Sequence, residues 1–169
     1  VFLKEVVNEM TSKAGQKCTA IRKIFVPENK LNSTIEVLKK KLESQKVGDP
    51  RKPDTDMGPI VSLDQKNDVI SKISEILKEC DIITGKSNLE KDSQHAGTSY
   101  MEPMLLCCSN PTNAKNVHQL EAFGPSATIM GYKSNEEVTN LVVEGGGSLV
   151  SSIFSNDLNT IKDLSLKLA

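Results

Sequence analysis

The chain has 169 residues, 37% hydrophobic and 25% charged, the balance of a compact domain with a buried core, so disorder is excluded. Its 21 Lys and Arg against 22 Asp and Glu leave a net charge of −1 and no basic block, which excludes nucleic acid as a partner. Apolar runs are too short for a membrane span, and the start VFLKEVVNEM has no basic leader or small-residue cleavage site; the protein reads as soluble and cytoplasmic.

In chain order, Leu3, Val6, Val7 and Met10 share one face of a first helix that Gly15 stops, and Cys18 falls in the turn after it. IRKIFVP is rich in β-branched residues and predicts a strand near 22–27 that ends at Pro27. Leu31, Ile35, Leu38 and Leu42 return to helical spacing. VGDPRKPDTDMGP is a surface connection, and Ser62 or Asp64 caps a helix carrying Val69, Ile70, Ile73, Ile76 and Leu77. DIITG predicts a strand near 81–85, and residues 87–99 a polar loop. YMEPMLLCC is a broken strand in which Pro103 argues for a sheet edge or an irregular start. A strand near 123–132, a capped helix over SNEEVTNLVVEG, a strand near 148–155 and a helix from Asn156 or Asp157 complete the chain. Helices alternating with short apolar runs predict an α/β fold with a mostly parallel central sheet flanked by helices.

The four cysteines show no CxxC, and His95 and His118 stand at no chelate spacing, so neither a disulfide framework nor a metal site is expected. Cys107 and Cys108 are adjacent on a predicted strand and point to opposite faces, as structural thiols. Cys18 differs: it follows a glycine-containing turn between helix and strand, where a side chain is exposed. A thiol attacks as thiolate, which needs donors or positive potential, and Lys17 or nearby backbone N–H groups could supply them. His118 reads as a surface or packing residue. Gly145, Gly146 and Gly147 leave a helix instead of entering one, which suits a helix stop and not a phosphate cradle.

Gly15-Gln16-Lys17-Cys18-Thr19 resembles the active-site signature of the aldehyde dehydrogenase family. Three further pieces stand in that family's order: Val47-Gly48-Asp49-Pro50, Asp56-Met57-Gly58-Pro59 and Glu121-Ala122-Phe123-Gly124-Pro125. The resemblance covers nearly the whole chain and implies the catalytic-domain type of that fold, an aldehyde as substrate and NADP or NAD as cofactor. It implies that Cys18 attacks the aldehyde carbonyl, with its own N–H and an asparagine holding the oxyanion. Hydride then passes to the nicotinamide, and a glutamate base activates the water that hydrolyses the thioester. By the same resemblance Glu121 accepts hydrogen bonds from the ribose hydroxyls and Phe123 packs beside that ribose. Both are then expected on the same side of the sheet as Cys18.

No strand–turn–helix unit with a GxGxxG-like turn precedes Cys18, and the family's base and oxyanion asparagine belong to that upstream region. Residues 1–169 therefore read as the catalytic domain alone, without the dinucleotide-binding domain and C-terminal arm, inactive in isolation and part of a homo-oligomeric parent. The 9–22 string, the 118–125 stretch and the triple glycine look most like one branch of the family. Its members are the dehydrogenase domains of the bifunctional ring-opening proteins of phenylacetate degradation, which oxidise a CoA-linked semialdehyde. Two alternatives stay open: an acylating or reductive member of the same fold, and a non-catalytic assembly module with a relic cysteine.

Overall fold

The computed structural model describes residues 1–90 and 94–168; part of the expected polar loop, 91–93, lies outside the described residues. Strands β1 (Lys23–Pro27), β2 (Asp81–Thr84), β3 (Met104–Cys108) and β4 (Ser126–Tyr132) form one sheet in the order β1-β4-β3-β2. β4 runs parallel to both β1 and β3, and β2 closes the sheet antiparallel to β3. The helices are α1 (Phe2–Thr11), α2 (Leu31–Glu43), α3 (Leu63–Ile76), α4 (Asn116–Gln119), α5 (Asn135–Val143) and α6 (Leu158–Leu168). The fold is thus the mostly parallel, helix-flanked α/β sheet expected from the pattern. Among the described residues no helix is long and apolar enough to cross a membrane.

Side-chain alternation divides the core in two. Met104, Leu106 and Cys108 of β3 pack with Val69, Ile73 and Ile76 of α3, while Leu105 and Cys107 pack with Val6, Met10, Leu38 and Leu42 of α1 and α2. Both faces of β3 are buried, so the strand is apolar throughout, as a central strand must be.

Of the two readings of Pro103 the irregular start holds: β3 is central, and Pro103 precedes its first paired residue, so the missing N–H costs the ladder nothing. Three other local readings need correcting. α1 ends at Thr11, ahead of Gly15, because Ser12 turns extended with ψ 124°. Residues 123–125 precede β4, held as a loop by Gly124 N–H to Ala122 O and Ser126 N–H to Gly124 O, both 2.8 Å. Residues 148–155 form no strand: β-branched content alone does not make one without a ladder partner. Left-handed Gly146 and Gly147 lead out of α5, Leu149 and Val150 remain exposed, and Phe154 leans on Phe2 with ring centroids 5.4 Å apart.

The caps follow the sequence. Ser62 Oγ accepts from Gln65 N–H and Ser134 Oγ from Glu137 N–H, each at 3.1 Å, and Asp157 accepts from Asn159 and Thr160 at the start of α6.

Candidate active site

After α1 the backbone takes three consecutive left-handed residues, Lys13 (φ 53°), Ala14 (φ 51°) and Gly15 (φ 66°). Two of them carry side chains, and such conformations persist only where the surroundings impose them. Here the imposing groups are the buried Ala14 side chain and the carbonyl of Gly124, which leaves no room for a side chain at Gly15. The chain then makes a tight turn closed by Ala20 N–H to Lys17 O at 3.1 Å, with Cys18 at its exposed corner. Among the described residues the Cys18 N–H meets no protein acceptor, so it stays free to donate. Lys17 is engaged elsewhere: its Nζ pairs with Glu9 at 2.8 Å. The positive potential considered for Lys17 is therefore shared with a carboxylate.

Arg22, at the foot of β1, joins this turn to the 121–125 loop. Its Nη2 donates to Gly15 O at 2.6 Å, its Nη1 to Gly124 O at 3.0 Å and its Nε to Glu121 Oε1 at 3.3 Å. The guanidinium also lies 5.2 Å from the centre of the Phe123 ring, a cation–π contact. Burial pushes Arg22 down from its ordinary value and Glu121 offsets part of the shift; Lys23 behaves alike. Lys23 adds a second tie, donating to His118 O at 2.9 Å.

Glu121 itself is open, its side chain 57% exposed while that of Arg22 is 15% exposed. One carboxylate oxygen is held, and the other meets no protein donor among the described residues. Phe123 is half-buried. An acceptor-only carboxylate and a fixed aromatic edge thus stand on the loop that touches the Cys18 turn, a pairing that fits a polyhydroxylated ring ligand.

The remaining quoted pieces are bonded to each other, and the segment just beyond the second is bonded to the site. Gln16 Oε1 accepts from Val61 N–H at 3.0 Å, and Gln65 Nε2 donates to Phe123 O at 3.2 Å, so the segment leading into α3 is tied to both the thiol turn and the loop. Val47 and Met57 form a parallel bridge, with Gly48 N–H donating to Met57 O at 3.0 Å, which clasps the two Gly- and Pro-rich pieces to each other. Below the loop, Glu79 accepts from the N–H groups of Lys115 (3.0 Å) and Val117 (3.1 Å) and fixes the start of α4.

Arg22, Gln65 and Glu79 were not singled out in the sequence. Arg22 and Gln65 had signals: Arg22 closes the quoted string around Cys18, and Ser62-x-x-Gln65 has the form of a capping box. Instead of closing that box, the Gln65 amide is spent on the loop. The other thiols are structural. Cys108 meets Cys80 in one core and Cys107 sits in the other, and the hydrogen bond with Cys108 together with burial pushes the Cys80 thiol up. His118 is a buried packing residue whose Nε2 lies 2.8 Å from Pro111 O. His95, in the 94–99 stretch, tilts against Tyr100 with centroids 5.8 Å apart.

Comparison with known proteins gives consistent results. 3,4-Dehydroadipyl-CoA semialdehyde dehydrogenase of Aromatoleum evansii is 35% identical over 164 residues, 96% of this chain and 32% of that protein. Sulfoacetaldehyde dehydrogenase of Neptuniibacter caesariensis is 28% identical over 158 residues, 94% of this chain and 33% of that protein. In three dimensions, a double mutant of betaine aldehyde dehydrogenase from Staphylococcus aureus, in complex with NAD+, superposes with a TM-score of 0.86 at 24% identity, covering 98% of this chain and 33% of that one. The chain thus spans about a third of the length of the relatives it matches. The model of the aldehyde dehydrogenase family matches residues 1–169 throughout, and the chain belongs to that family.

Proposed function

We propose that residues 1–169 are the nucleophile-bearing catalytic domain of an NADP- or NAD-dependent aldehyde dehydrogenase, with Cys18 as nucleophile and Glu121 and Phe123 as cofactor contacts. The observation that carries this reading is the clamp by Arg22, which ties the exposed Cys18 turn to the loop bearing Glu121 and Phe123. Cys18, as thiolate, adds to the carbonyl carbon of the aldehyde and forms a thiohemiacetal. Its unengaged N–H donates to the oxygen that becomes negative, where a preorganised donor is most effective. The second carboxylate oxygen of Glu121 accepts ribose hydroxyls, and Phe123 packs against that part of the cofactor. The chemistry supplied by a bound nicotinamide is acceptance of the hydride that turns the adduct into a thioester. Hydrolysis releases the acid and regenerates the Cys18 thiol, with the base and the second oxyanion donor contributed from outside these residues.

The relative from Aromatoleum evansii is named for a CoA-linked semialdehyde, and 35% identity across 96% of this chain supports a substrate of that class, as in phenylacetate degradation. The Glu121-x-Phe123-Gly124-Pro125 loop favours the hydrolytic members over acylating or reductive ones, and an exposed thiol on a strained turn speaks against a relic cysteine. The test is aldehyde-dependent formation of NADPH or NADH by the whole protein, over CoA-linked semialdehydes and simple aldehydes. Cys18→Ala should lower the rate by about a thousandfold or more. Steady turnover at the original rate in that variant would remove Cys18 from the mechanism.

A further inference from the structure

We propose that Arg22 is a positioning residue for cofactor binding, holding the Glu121 carboxylate and the Phe123 ring in their working orientation against the Cys18 turn; this rests on the cofactor reading of Glu121. The guanidinium is a rigid plane whose nitrogens point in fixed, diverging directions. Three of those directions are used here, to Gly15 O, Gly124 O and Glu121 Oε1, and the plane itself lies over the Phe123 ring. The first two contacts would suffice to staple the backbone. The last two have a different character, since they restrain two side chains of which one is largely exposed and has no packing need to be still.

A free glutamate on a loop samples several rotamers and pays entropy when a ligand fixes it. With Oε1 held by Arg22, that loss is taken on folding, and the other oxygen is presented in one direction. The positive charge also offsets the repulsion that an unpaired carboxylate would offer an anionic dinucleotide. Lysine at this position keeps a charge but has no plane and no fork, so it can satisfy a carbonyl without aligning Glu121 and Phe123 together.

The whole protein carrying Arg22→Lys, Glu121→Gln or both is titrated with NADPH and NADH by nucleotide fluorescence, and KM is measured separately for cofactor and aldehyde. Arg22→Lys should weaken equilibrium cofactor binding about ten- to a hundredfold and raise the cofactor KM alike, with the aldehyde KM within about twofold. In the Glu121→Gln background the same substitution should weaken binding clearly less than it does alone, because the part of its effect that runs through Glu121 is already lost. Unchanged binding in Arg22→Lys, with binding weakened in Glu121→Gln, overturns the role of Arg22 and leaves that of Glu121 intact. Full additivity in the double variant overturns it too, because Arg22 would then act independently of Glu121. Unchanged binding in Glu121→Gln overturns the cofactor reading itself. Should Arg22→Lys fail to fold, a crystal structure of the wild-type protein with NADP decides: the Arg22–Glu121 contact must persist, and Glu121 turned away from Arg22 refutes the proposal.

Discussion

Gly15 and Gly124 meet backbone to backbone, so that a methyl group on Gly15 would be driven into the carbonyl group of Gly124. Gly15 also sits at φ 66°, where a side chain is strained whatever the space around it. Gly15→Ala should therefore cost about 1–2 kcal/mol from the left-handed conformation alone, with the collision added to that. The urea midpoint of the whole protein should fall, and aldehyde turnover should fall further than stability, because the Cys18 turn can relieve the clash only by moving off the loop. A variant with the original midpoint and turnover would show that the two glycines do not define the site.

The four thiols should differ sharply in reactivity. Cys18 is exposed on its turn, whereas Cys80, Cys107 and Cys108 are buried in the two cores. Pulsed alkylation of the native protein followed by peptide mapping should label Cys18 at least about tenfold faster than the other three, which react only as the fold opens. Comparable labelling of Cys107 would mean that the sheet face toward α1 and α2 is not closed.

Acid stability should depend on Glu79. Burial pushes its carboxyl up, yet the N–H groups of Asn116, Lys115 and Val117 together outweigh that and hold it below its ordinary value. A carboxylate depressed in the folded state adds stability above the unfolded value, about 4.3, and loses it as pH falls through the folded one. Glu79→Gln should lower stability at neutral pH by less than about 1 kcal/mol, because solvent screens the carboxylate and the amide oxygen keeps one of the contacts. The gap between the two proteins should close on acidification below about pH 4. Urea titrations from pH 3 to 7 measure it, and a gap constant with pH would rule out the carboxylate as its source.

Much of this arrangement was legible before any coordinates. Periodicity located α1, α2, α3 and all four strands, because in those segments local pattern and tertiary burial agree. The exposed position of Cys18 followed from a glycine turn between helix and strand. What could not be read was whatever depends on partners distant in sequence. Residues 148–155 have the composition of a strand, but a strand exists only where another offers its edge. Arg22 looked like one more basic residue because its carboxylate partner lies 99 residues further on. Gln65 looked like half of a capping box, and only the placement of Phe123 O shows where its amide is used.

The register that sets Lys23 beside Thr128 has a consequence for how the protein is made. Arg22 leaves the ribosome 102 residues ahead of Gly124, and β1 has no neighbour until β4 is synthesised. Non-local pairing of this kind folds slowly and late. Throughout that interval the nascent chain carries the Cys18 thiol without the clamp that orients it. The thiol turn and the central sheet should therefore reach their final form in a single step, and a chain interrupted before residue 126 should have neither.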